Sequence, residues 1–62
     1  MELVFDNRKK RMAFSGPVSS LLRKMKARRE EVVIKVNGKL APETREIKPS
    51  DRVEIIRVVF GG

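Results

Sequence analysis

Sixty-two residues fit one small domain and leave no room for a second core. With neither cysteine nor histidine, the chain has no disulfide or zinc staple, and it lacks the commonest nucleophiles and the near-neutral proton shuttle. Fifteen Lys and Arg against eight Asp and Glu leave a net charge of +7, which points to an acidic partner surface or a polyanion and argues against a free-standing catalyst.

In chain order, residues 2–14 (ELVFDNRKKRMAF) read as a hairpin. Leu3 and Phe5 sit two apart, as do Met12 and Phe14, which is strand periodicity. Asp6 and Asn7 tolerate turn geometry, so the basic run Arg8–Arg11 falls at the hairpin tip. The start, MELVFDN, carries a charge at its second residue and does not read as a signal peptide.

A helix is expected at about 17–28. Ser15 and Gly16 supply capping character, and Pro17 suits the first helical position. Val18, Leu21, Leu22 and Met25 fall at i, i+3, i+4 and i+7, one apolar stripe. Lys24, Lys26 and Arg28 crowd the last turns, where cations favour the negative end of the helix dipole.

A strand follows in which Val32, Ile34 and Val36 alternate with Val33 and Lys35, and Asn37-Gly38 signals a tight turn. Leu40 and Ala41 can start a short returning strand before Pro42. Residues 42–52 are polar and twice interrupted by proline, a loop with one buried anchor at Ile47. The last run, VEIIRVVF (53–60), is β-branched and aromatic, a strand by composition.

One helix with one apolar stripe needs one sheet face to cover it. The chain therefore reads as a two-layer α+β domain whose other sheet face meets solvent or a partner. Val53 and Ile55 point one way along the last strand; Ile56, Val58 and Phe60 point the other way, an apolar strip beside Arg57 of the kind that marks partner sites.

The strand order, VNG at 36–38, DRVEII at 51–56 and the closing Gly61-Gly62 together resemble the ubiquitin-like sulfur carriers, β-grasp proteins of the thiamine-pathway and molybdopterin-synthase small-subunit type. The likeness covers the second half of the chain well and the first half as element order. The thiamine-type pattern is the closer one. Molybdopterin-type tails carry prolines ahead of the final glycines, and RVVF has none; against the thiamine type, Ser50 stands where a glycine commonly precedes the aspartate.

The resemblance implies a ubiquitin-like β-grasp fold over 1–62: a mixed sheet of four to five strands on one helix, with a flexible Gly-Gly tail. It implies a carrier, not an enzyme, with no catalytic or metal-binding residue of its own and no bound cofactor. ATP is used by a separate adenylyltransferase-type activating enzyme. Gly62 is implied to carry the adenylate and then a thiocarboxylate, and Gly61 gives the tail its slimness. Ile56, Val58 and Phe60, with Arg57, are implied to dock the activating enzyme. A cysteine desulfurase or rhodanese would supply sulfur, and a synthase or tRNA thiolase would accept it for thiamine, molybdopterin or transfer-RNA thiolation.

Two other readings stay open. One is a protein modifier joined to lysines through Gly62; the other is a basic RNA- or ribosome-associated module using Arg8, Lys9, Lys10 and Arg11. Direct nucleic-acid binding is the less favoured, because the three aromatics are all Phe and two of them belong to the core, leaving no stacking platform. No apolar run approaches the ~20 residues that span a bilayer, so the expected setting is cytoplasmic.

Overall fold

The computed structural model describes residues 1–58. Its elements are β1 (Glu2–Phe5), β2 (Arg8–Arg11), β3 (Gly16–Pro17), α1 (Val18–Met25), a 3-10 turn (Arg29–Glu31), β4 (Val32–Val36), β5 (Lys39–Leu40), β6 (Glu46–Ile47) and β7 (Arg52–Arg57). Five strands form one mixed sheet in the order β2-β1-β7-β4-β5. β1 and β7 run parallel at its centre, and the other pairings are antiparallel. With α1 packed on one face this is the expected ubiquitin-like β-grasp. No helix among the described residues is long and apolar enough to cross a membrane.

Register decides what the helix covers. Leu3, Val53 and Val36 lie abreast across β1, β7 and β4, and Phe5, Ile55 and Ile34 form the next rung. Side chains abreast share a sheet face, and these two rungs meet Val18, Leu21 and Leu22 from the helix. Val18, Leu21 and Val53 are fully enclosed. Burying each such side chain is worth ~1.5–3 kcal/mol, which a chain without disulfide or metal needs. Ile47 reaches the same core as the loop's anchor and is 1% exposed.

Both tight turns form as their residues dictate. Asp6 and Asn7 have φ of 52° and 63°, and Asn37 and Gly38 have 53° and 83°. Two left-handed residues in succession make the turn whose twist matches a hairpin. β2, however, ends at Arg11. Met1 and Met12 extend the ladder by one rung, after which Phe14 leaves it and packs half-buried against the core. The basic run is thus the whole edge strand, every residue exposed, and not the hairpin tip.

The helix is shorter than 17–28. Pro17 lies before it, extended at ψ 154° and paired with Glu46, and no side chain caps the N-terminus. The orphan N–H groups are met from the loop instead: Val18 donates to the Arg45 carbonyl and Ser19 to the Glu43 carbonyl, each at 2.9 Å. Residues 43–47 therefore strap the helix start, with β6 pairing β3 in a small second sheet. Gly16 sits there at φ 131°, a backbone state that other residues resist.

At the far end Lys26 turns left-handed at φ 57°, ψ 36°. Ala27 N–H bonds the Leu22 carbonyl and Lys26 N–H the Arg23 carbonyl, the paired closure that ends many helices. Arg23 and Lys24 remain in the last turn, suited to the dipole.

Candidate functional site

The described chain ends just past β7, at Val58, so the candidate site has two described parts: this strand end (the root of the tail) and the sheet face beside it. Phe60, Gly61 and Gly62 lie outside the described residues. Val58 is half-buried, and its N–H donates to the Glu31 carbonyl at 2.7 Å. That bond ties the root to the 3-10 turn after the helix and fixes where the last residues begin.

Ile56 pairs with Val33 of β4, on the face opposite the helix. Its exposure is 37%, against 2% for its neighbour Ile55, so the alternation expected along this strand is borne out. Val4 lies on the same face, abreast of Glu54, and Leu40 of β5 lies abreast of Lys35. The outer face therefore carries Ile56 abreast of Val33, and on the neighbouring rung Lys9, Val4, Glu54, Lys35 and Leu40 in turn. The sequence pattern did not single out Val33 and Val4. Their out-of-phase positions beside Ile34 and Leu3 were the available signal.

Arg57 does not share that face. It lies abreast of Val32 on the helix side, its guanidinium 5.4 Å from the centre of the Phe5 ring and its Nη2 3.8 Å from Asp6 Oδ2. The expected grouping of Arg57 with Ile56 and Val58 is thus divided between two faces, because adjacent strand residues alternate. Arg57 is placed to brace the tail root against the β1–β2 turn.

The two short motifs VNG and DRVEII meet at the opposite end of β7. Lys48 N–H donates to Asp51 Oδ2 at 2.8 Å and Asn37 Nδ2 donates to Asp51 Oδ1 at 3.0 Å. Asn37 Oδ1 in turn accepts from Arg52 N–H at 3.0 Å. The Lys48 N–H holds the Asp51 carboxyl below its ordinary range; the Asn37 amide and the nearby Arg45 and Lys48 charges add to this, and burial opposes it. This cluster is a clasp between two turns, satisfied on all sides.

No group of three or more metal-binding side chains occurs among the described residues. What the described surface offers is an outward-facing pair of apolar side chains, Ile56 and Val33, beside a braced strand end.

The ThiS family model matches residues 2–62. A solved structure, described as thiamine biosynthesis protein (ThiS) from Geobacter metallireducens, is similar over 100% of both chains, at 28% identity and a TM-score of 0.68.

Proposed function

The chain belongs to the ThiS family, and from that membership we propose that it is a small sulfur carrier whose reactive group is the carboxylate of Gly62. The observation that supports this most is the reach of the family match to the last residue, through Gly61-Gly62.

A carboxylate is a poor acyl donor because its oxygen is a bad leaving group. In the proposed cycle a carboxylate oxygen of Gly62 attacks the α-phosphate of ATP, releasing pyrophosphate and forming an acyl adenylate. The terminal sulfur of a persulfide then attacks the carbonyl carbon and AMP departs. The resulting acyl disulfide is cleaved when a thiol attacks its outer sulfur, which yields a disulfide and leaves the thiocarboxylate on Gly62. ATP and both sulfur nucleophiles belong to partner proteins: an adenylyltransferase-type activating enzyme and a desulfurase or rhodanese.

The carrier contributes shape. Glycine has no Cβ and lets the backbone approach a reacting centre closely, so Gly61 and Gly62 suit entry into a narrow cleft. Ile56 and Val33 offer the activating enzyme its docking surface, Val58 and Phe60 supply further apolar contacts to that enzyme, and Arg57 positions the root of the tail. Thiamine biosynthesis, named for the Geobacter protein, is the first candidate for the sulfur's destination.

The test is ATP–pyrophosphate exchange with the activating enzyme of the same host. Exchange should require this chain and vanish when Gly62 is deleted; exchange that survives the deletion would refute the assignment. Heavier conjugates formed through Gly62 in the same mixture would mark protein modification instead.

A further inference from the structure

β2 stands at the outer edge of the sheet, and two separate features coincide on its free side. The first is backbone. The β1–β2 turn closes on the Phe5–Arg8 pair, and two rungs beyond Leu3–Lys10, Met1 and Met12 exchange both backbone hydrogen bonds at 3.0 Å. Rungs of an antiparallel ladder alternate between bonded and non-bonded. Arg8, Lys10 and Met12 therefore direct their backbone groups to β1, and Lys9 and Arg11 direct theirs away from the sheet.

The second feature is charge. Arg8, Lys9, Lys10 and Arg11 are all exposed, and none forms an ion pair among the described residues. Lys9 and Arg11 lie abreast of Val4 and Glu2 on the outer face, while Arg8 and Lys10 lie on the helix side. Cations thus flank the free backbone groups on both sides.

We propose that this edge is a docking site for an acidic, extended segment of a partner protein, which adds to β2 as a further strand. Strand addition takes affinity from main-chain hydrogen bonds and specificity from alternating side chains. Here the N–H and C=O of Lys9 and Arg11 supply the former, and carboxylates directly opposite the cations supply the latter.

Other occupants fit less of what is present. A second copy of this edge would set like charges opposite one another, which destabilises a pairing. A nucleic acid would use the cations and leave the strand-directed backbone groups without a role. Lysines on an edge also repel uncharged strands, so the same residues that close this edge to casual pairing open it to an acidic one. The proposal is independent of the chemistry at Gly62.

The experiment follows backbone amide exchange by NMR in the full chain. Three probes are compared: a peptide of about ten residues alternating glutamate with threonine, the same peptide with glutamine for glutamate, and a short RNA duplex. With the glutamate peptide, exchange at the Lys9 and Arg11 amides should slow about tenfold or more, while the Lys10 amide, already bonded to Leu3, stays unchanged. The glutamine peptide and the RNA should protect neither. Lys9→Pro, which removes the charge together with an outward N–H that an edge can spare, should weaken peptide binding about tenfold and more than Lys9→Gln, which removes the charge alone.

Equal losses in the two variants would overturn the proposal. So would peptide binding that leaves both amides unprotected, RNA binding at β2 without peptide binding, or no binding by the acidic peptide, which would leave the cations only the task of keeping the edge unpaired. If Lys9→Pro fails to fold, the exchange pattern of the unaltered chain decides alone.

Discussion

Asn37 donates its side-chain amide to the Asp51 carboxylate at 3.0 Å across fourteen residues of sequence, clasping the β4–β5 turn to the turn that launches β7. The Asp51 carboxyl is held below its usual value of 3.8, first by the Lys48 N–H and then by Asn37. A depressed folded-state value contributes stability above the unfolded value and loses it as pH falls through the folded one. The thermal midpoint of the native chain should therefore exceed that of Asp51→Asn at neutral pH, and the gap should narrow below about pH 3.8. A gap that stays constant into acid would contradict the clasp.

Lys26 closes the helix in a left-handed conformation with φ 57°. A residue with a Cβ is strained there, whereas glycine is not. Lys26→Gly should stabilise the domain by about 1 kcal/mol, read as a higher urea midpoint with an unchanged slope. Most substitutions destabilise, so a gain at this position is a distinctive result.

Leu21 is fully buried against the sheet. Truncation to alanine should cost ~2–5 kcal/mol, a large share of the total in a chain of this size. Circular dichroism of Leu21→Ala should show a substantially unfolded population at 25 °C.

Ile56 faces outward beside Val33, so Ile56→Glu should leave the thermal midpoint nearly unchanged. The same variant should raise KM for adenylation about tenfold, equivalent to ~1.4 kcal/mol of docking, with kcat little altered. Arg57→Ala, on the other face, should affect KM less. Comparable KM effects would place docking elsewhere.

Much of this was legible because period and turn chemistry are local. The alternation of Val53, Ile55 and Ile56 told the core face from the outer face. Asp6-Asn7 and Asn37-Gly38 announced their turns, and Ile47 stood out as the one apolar residue of the polar segment. The strap at 43–47 left no such trace, since it holds the helix through the carbonyls of Glu43 and Arg45, and carbonyls are common to every residue. Pro17 looked like a first helical residue because its φ suits one, yet its partner is Glu46. Nothing between Met25 and Arg28 resembles a helix stop, because Lys26 takes the role glycine usually fills. Arg57 was grouped with its sequence neighbours, although a single step along a strand changes the face.

The proposed site rests on the sequence itself: Gly61-Gly62, in a chain with neither histidine nor cysteine, directs attention to the backbone's own carboxylate. The bracing of Arg57 and Val58 by Phe5, Asp6 and Glu31 joins the strand end to two segments far from it in sequence and needed the fold to be seen.

The central claim is that sulfur is carried on Gly62, and the most direct measurement is the intact mass of the chain after incubation with the activating enzyme, ATP and a persulfide donor. A gain equal to replacing one oxygen by one sulfur, confined to the C-terminal fragment and absent without ATP, is the expected result. An unchanged mass in a mixture that demonstrably adenylates the chain, or a gain located on any other residue, would contradict it.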